Sequence, residues 1–231
     1  MPVAVRFAGT DDWPFISDIS RRAGYVDYIN EIGPDFVRTG EVVILTDGMP
    51  KGFAKIEKLR DGSMWLSGLR VAPEYQRTGV GTRLTTECIR IARSRGIQTL
   101  RMLVQDSNYA SVNLASKIGF RKVATFRFFR GTPGIWKEMA SDVSYSGFVN
   151  IGWAFPLLEI HDAGGTIVKV DDWILFRSPQ DTFQILKVGR AELKLTGDDF
   201  TCADVRVGEI RHISESSEGE ILTDSIYQFD V

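Results

Sequence analysis

The stretch Leu69-Arg70-Val71-Ala72-Pro73-Glu74-Tyr75-Gln76-Arg77-Thr78-Gly79-Val80-Gly81-Thr82-Arg83-Leu84 decides how this chain is read. An apolar strand ends at Val71, Pro73 breaks it, and a glycine-bearing loop leads directly into a helix. Its kernel is Gln76-x-x-Gly79-x-Gly81. The first backbone N–H groups of a helix have no partner inside it, and the macrodipole adds partial positive charge at the same end. Glycines let that backbone come close to a ligand, so the loop is laid out to hold phosphate oxygens.

Two well-known phosphate loops do not fit. A Walker A loop closes in Gly-Lys-Ser/Thr, whereas Gly81 is followed by Thr82-Arg83. A dinucleotide fingerprint places a third glycine where this chain has Leu84. The pattern, set after a strand that ends Val71-Ala72-Pro73, resembles the pyrophosphate loop of the GNAT N-acetyltransferases. Downstream, Asn108-Tyr109-Ala110-Ser111 through Lys117-Ile118-Gly119-Phe120 resembles that family's Asn-x-x-Ala/Ser helix closing in Gly-Phe. A lone Gly-x-Gly is weak evidence, but two motifs in the right order reinforce each other.

Composition narrows the classes further. A net charge of −2 over 231 residues argues against a nucleic-acid partner held by bulk electrostatics. No apolar run reaches membrane-spanning length, and the N-terminus lacks the basic-then-apolar layout of a signal peptide. A soluble, cytoplasmic protein without a membrane partner is expected. Cys88 shares a helix face with Val80, Leu84 and Ile91 and is expected in the core, while Cys202 is distant in sequence. Neither a disulfide framework nor a metal site is expected.

The periodicity predicts a strand from Val3 to Phe7, then a helix capped around Thr10-Asp11-Asp12 with Phe15, Ile16 and Ile19 facing inward. A helical stretch from Tyr25 to Val37 is broken by Gly33-Pro34. Strands at Val42–Leu45, Gly52–Lys58 and Met64–Val71 are joined by the turn dipeptides Asp47-Gly48 and Asp61-Gly62. The helix after the glycine loop runs to Arg95 and stops at Gly96. A strand at Gln98–Val104 precedes a helix capped by Asp106 or Ser107 and closed by Gly119, and Arg121–Phe129 is again extended.

Gly131-Thr132-Pro133-Gly134 reads as punctuation. Beyond it come short strands at Thr166–Val170, Trp173–Arg177, Phe183–Val188, Glu192–Leu195 and Val205–Glu209. Their expected turns are Gly164-Gly165, Asp171-Asp172 and Gly197-Asp198-Asp199. The expected architecture is an α/β (α+β) GNAT fold, a central mixed twisted sheet flanked by helices, over residues 1–134. A smaller β-rich domain follows over residues 135–231. The run Phe126-Arg127-Phe128-Phe129 leaves a homodimer contact and plain core packing both open.

The resemblance implies a chemistry. Coenzyme A would lie in an opening between the strands Met64–Val71 and Gln98–Val104, its pantetheine arm paired with backbone around Leu69 and Val71. The amide of Leu69 or Arg70 would donate to the thioester oxygen. The loop Gln76, Arg77, Thr78, Gly79, Val80, Gly81 and Thr82 would take the pyrophosphate, and Asn108 matches the family asparagine that reaches the cofactor from the far side. Each has a bland alternative: a tight turn for the glycines, a helix start for Asn108, solvated charge for Arg77 and Arg83.

The acid–base groups depart from the family pattern. A glutamate expected four positions before Val71 is Ser67, and a tyrosine expected four positions before Gly119 is Ala115. Serine is no general base by itself near neutral pH, but it can orient a water that relays a proton to a carboxylate. Glu57 and Glu31 are candidates for that carboxylate, and Tyr109 for the acid. His161 and His212 read as surface groups. Acetyl-CoA-dependent acetylation of a primary amine, by direct attack in a ternary complex, is the expected function, with a small molecule or a peptide as acceptor. The alternative is a catalytically impaired acyl-CoA-binding sensor or scaffold.

Overall fold

The computed structural model describes residues 4–24, 28–140, 143–208, 210, 212–214 and 220–231. Val3, Tyr25 and Glu209, which bound three of the expected elements, lie outside them. The chain forms two compact units that interleave along the sequence. One comprises residues 1–102, 113–121 and 228–231, the other residues 103–112 and 122–227. The units therefore do not follow a single cut after Gly134.

In the first unit, β1 (Ala4–Phe7) is followed by a 3-10 turn at Thr10–Asp12 and by α1 (Trp13–Arg22). Two short helices, α2 (Tyr28–Ile32) and α3 (Asp35–Arg38), flank the expected break at Gly33-Pro34. Then come β2 (Glu41–Thr46), β3 (Pro50–Lys58), β4 (Met64–Val71) and α4 (Val80–Ser94). The unit is completed by the start of β5 (Thr99–Gln105) and the end of α5 (Tyr109–Ile118). The sheet order is β1-β2-β3-β4-β5, antiparallel throughout except for the parallel β4–β5 pair.

The hairpin turns form where predicted, with Gly48 at φ +113 and Gly62 at φ +80. Val42, Val43, Ile44 and Leu45 are buried consecutively, because β2 is covered on both faces. Leu84, Cys88 and Ile91 form the buried side of α4, and burial pushes the Cys88 thiol up to about 12, so it is an inert core residue. In α1, Ile16 and Ile19 turn inward, but Phe15 is 41% exposed. One step along a helix rotates a side chain by about 100°, so the inward stripe takes Ile16 and leaves its neighbour outside.

The second unit is β-rich, as expected. It contains β6 (Arg121–Pro133), β7 (Lys137–Glu138), the hairpin of β8 (Gly147–Phe148) and β9 (Leu157–Leu158), β10 (Thr166–Val170), β11 (Trp173–Arg177) and β12 (Phe183–Lys187). After these come β13 (Leu193–Asp204), β14 (Ile213–Ser214) and β15 (Glu220–Asp230). The order is β5-β15-β6-β13-β12-β11-β10-β7, with β14 beside β13. Phe126, Phe128 and Phe129 are buried, so the aromatic run belongs to the core. Trp173, Leu175, Phe183 and Leu193 complete a cluster with Phe129.

Three expectations fail here. Gly131, Thr132 and Pro133 do not punctuate the chain: β6 continues through them and pairs with Leu195 and Thr196 of β13. Gly197-Asp198-Asp199 is no turn between strands but a bulge within β13, where the register slips between Thr196 and Phe200. Val205–Val207 is a 3-10 turn rather than a strand, because Asp204 Oδ1 accepts from the Arg206 amide at 2.9 Å and caps it. The final strand β15 was not foreseen. In the first unit Val231 N–H donates to the Gln98 carbonyl at 2.9 Å, and in the second Asp106 N–H donates to that of Thr223 at 2.9 Å.

Candidate functional site

β4 is regular until Ser67, which pairs with Lys55 of β3. The next recorded pair is Arg70 with Phe53, so β4 carries one extra residue in between. Gly68 absorbs it at φ +58, and a Cβ there would sit 2.9 Å from Phe36 Cζ. Conformation and space both demand glycine at that point. The ladder from β4 to β5 covers Met64–Leu100 and Trp65–Arg101 and then stops. Among the described residues, β4 from Leu66 onward is paired on the β3 side alone.

After β4, Ala72 is buried and its N–H donates to the Lys51 carbonyl. A 3-10 turn at Pro73–Tyr75 leads to extended Gln76, then to Arg77 at φ +61 and Gly79 at φ +88. Thr78 Oγ1 donates to the Tyr75 carbonyl at 2.7 Å. The first bond of α4 runs from Arg83 N–H to the Gly79 carbonyl at 3.0 Å. The amides of Val80, Gly81 and Thr82 have no recorded partner among the described residues. Val80 is buried and anchors the turn, Gly81 and Thr82 are half-buried, and Gln76, Arg77, Thr78 and Arg83 are exposed.

Gly81 differs from Gly79 in what it requires. It has no positive φ, and a Cβ there would meet Leu114 Cδ2 at 3.4 Å and Val71 Cγ2 at 3.8 Å, both ordinary contacts. Packing within the chain therefore leaves room for a side chain at 81.

The proton-transfer candidates are scattered in character. Ser67 is half-buried, while Glu57, two residues along β3 from Lys55, is exposed. Glu31 is exposed as well. Tyr109 is 73% exposed, and Ala115 is fully buried in α5. Neither Asp106 nor Ser107 caps α5. Asn108 does, its Oδ1 accepting from Ser111 N–H at 3.1 Å, so the helix-start role is realised. His161 and His212 are exposed.

Two groups were not singled out from the sequence. Lys55 is 9% exposed beside Phe36 and Thr39; its signal was a lysine inside the apolar run Phe53-Ala54-Lys55-Ile56. In the second unit, Asp224 is 5% exposed, and burial, then the charge of Asp106, pushes its carboxyl up to about 7. Oδ1 of Asp224 and Oδ1 of Asp106 are both buried without a hydrogen-bond partner, although Asp106 Oδ2 accepts from Lys122 Nζ at 3.0 Å. No group of three or more potential metal ligands occurs among the described residues. Among the described residues, no helix is long and apolar enough to cross a membrane.

Residues 12–120 match the model of the acetyltransferase (GNAT) family. A candidate acetyltransferase from Thermoplasma acidophilum shares the fold, at 15% identity and a TM-score of 0.67, over 99% of this chain and 100% of that one. The ribosomal-protein-S18-alanine N-acetyltransferase from Escherichia coli is 26% identical, with a TM-score of 0.50, over 57% of this chain and 85% of its own. A candidate acetyltransferase from Salmonella typhimurium, solved with its cofactor acetyl-CoA, is 24% identical over 55% of this chain and 84% of that one, at a TM-score of 0.47. No curated protein matches the chain.

Proposed function

We propose that this chain, whose residues 12–120 match the model of the acetyltransferase (GNAT) family, transfers the acetyl group of acetyl-CoA to a primary amine. The observation that carries this is the open start of α4. Three successive amides have no recorded partner there among the described residues, beside a Gly81 that the protein's own packing does not require. Gln76, Arg77, Thr78, Gly79, Val80, Gly81 and Thr82 hold the pyrophosphate, mainly through backbone N–H groups. Leu69 and Val71 pair with the pantetheine arm.

The neutral amine attacks the thioester carbonyl carbon. The oxyanion that forms is stabilised by the amide of Leu69 or Arg70, beside the bulge at Gly68 that leaves Leu69 outside the recorded β3 pairs. Collapse expels the thiolate and leaves the amide product. Ser67 orients a water that takes the amine proton towards Glu57, a diagonal neighbour across the β3–β4 ladder. Positioning and oxyanion stabilisation carry the rate, and the proton path adds to them. The acceptor is a small molecule or a peptide amine. The free, buried thiols of Cys88 and Cys202 suit a reducing, cytoplasmic compartment.

A screen of amines against acetyl-CoA, reading thiol release and the mass of the acceptor, tests this. Amine-dependent thiol release with an acetylated product is expected. The second reading, a sensor that binds acyl-CoA without turnover, is favoured by Ser67 and buried Ala115 standing where the family pattern has its acid–base groups. Binding of acetyl-CoA with no turnover on any amine would select it.

A further inference from the structure

Lysine is poorly suited to an interior, because its ammonium keeps its charge and must have its hydration replaced. Lys55 is nevertheless nine-tenths buried in the middle of β3. Its stem lies against Gly40 so closely that a Cβ on that residue would be 2.3 Å from Lys55 Cε. Its ammonium stands 4.8 Å from the centroid of the Phe36 ring and 3.5 Å from Thr39 Oγ1, to which it donates one long hydrogen bond. An ammonium has three donors. Among the described residues Lys55 forms no ion pair; exposed Glu57 acts on it only through the field. Burial draws the Lys55 pKa below the usual lysine range, and Glu57 draws it back.

The position of this cation matters as much as its surroundings. Lys55 is the cross-strand partner of Ser67, the last regular residue before the bulge. The same Phe36 ring that underlies the ammonium also closes on the backbone of Gly68. A polar group with unused donors thus stands beside the backbone that would polarise the thioester.

We propose that Lys55 is an anion-binding subsite for the acceptor, so that the amine to be acetylated also carries a carboxylate or a phosphate group. The bound anion completes the donors that the fold leaves unfilled, through charge-assisted hydrogen bonds. It also holds the amine at a fixed distance from the bulge, which is a positioning role. The identity of the substrate rests on the acetyltransferase reading; the existence of the anion site rests on the surroundings of Lys55 alone.

The test compares the wild type, Lys55→Met and Lys55→Arg on matched acceptors: glycine against glycinamide, and O-phosphoethanolamine against ethanolamine. The wild type is expected to favour the anionic member of at least one pair, and which pair identifies carboxylate or phosphate. Lys55→Met is expected to raise KM for that anionic acceptor by about 10- to 100-fold, far more than for its neutral partner, with Lys55→Arg recovering much of the loss. Equal losses on both members of a pair, or no wild-type preference, would overturn the proposal. Side-chain NMR of Lys55 during titration with N-acetylglycine and with inorganic phosphate gives a readout free of turnover. A saturable shift is expected with at least one, and no shift with either contradicts the site. A protein that shows this shift but neither binds acetyl-CoA nor transfers acetyl would retain the anion site and lose the acetyltransferase reading.

Discussion

Ser67 on β4 faces Lys55 across the β3–β4 ladder, and immediately beyond that pair the register slips by one residue at Gly68. A hydroxyl and an ammonium thus stand where the family pattern would set a carboxylate, just before the bulge in the β3–β4 ladder. Replacing Gly68 by alanine forces a side chain into φ +58 and against Phe36 at 2.9 Å. The expected cost is about 2–4 kcal/mol, from left-handed strain and overpacking together. Denaturant midpoints measure it; an unchanged midpoint would mean that the bulge does not depend on glycine.

The two glycines of the loop are expected to respond with opposite sign. Gly79→Ala puts a Cβ at φ +88 and should destabilise by about 1–2 kcal/mol. Gly81→Ala adds a helix-favouring residue where a Cβ has room, and should stabilise by up to about 1 kcal/mol. Thermal unfolding of the two variants beside the wild type checks the difference.

Asp224 should leave a mark on stability against pH. Its carboxyl titrates near 7 when folded and near 3.8 when unfolded. Between those values the folded state holds a proton that the unfolded state has released. The stability contributed by this group is therefore fully present below about 3.8 and lost as pH rises through about 7. Asp224→Asn keeps the shape and removes the charge, so its gain in stability over the wild type should be larger at pH 8 than at pH 4. A gain that is the same at both pH values would contradict the assignment.

Arg101 and Asp61 form a buried ion pair at 2.5 Å, with side chains 7% and 8% exposed. Arg101→Met removes the buried guanidinium from beside the Asp61 carboxylate and is expected to cost about 3–5 kcal/mol. Adding Asp61→Leu removes that buried carboxylate as well and should recover part of the loss, which equilibrium unfolding of the single and double variants would show.

Much of the first unit was legible because its signals are local. Pro73, the hairpin dipeptides and the stops at Gly96 and Gly119 each act within a few residues of themselves, and the structure puts an element boundary at each. The glycine loop was legible for the same reason. Pairing is different, because it depends on partners far away in sequence. Nothing within Glu220–Asp230 announces that it runs beside β5 and β6, and Gly131 looks like a turn until Leu195 is seen against Pro133. Lys55 and Asp224 were passed over because burial, not residue type, makes them unusual. The bland alternative for Asn108, a helix start, is realised, whereas the cap was assigned to the flanking residues Asp106 and Ser107.

The central claim is that the amides at the start of α4 hold the pyrophosphate of acetyl-CoA. Calorimetric titration of acetyl-CoA into the wild type and into Gly81→Asp tests it most directly. An acidic residue suits a helix N-terminus, and a Cβ fits at that position, so the variant should fold with an unfolding midpoint close to that of the wild type. Saturable binding at one site per chain, lost in Gly81→Asp, is the predicted result. Wild-type binding that persists unchanged in the variant, or no binding to a well-folded wild type, would contradict the account.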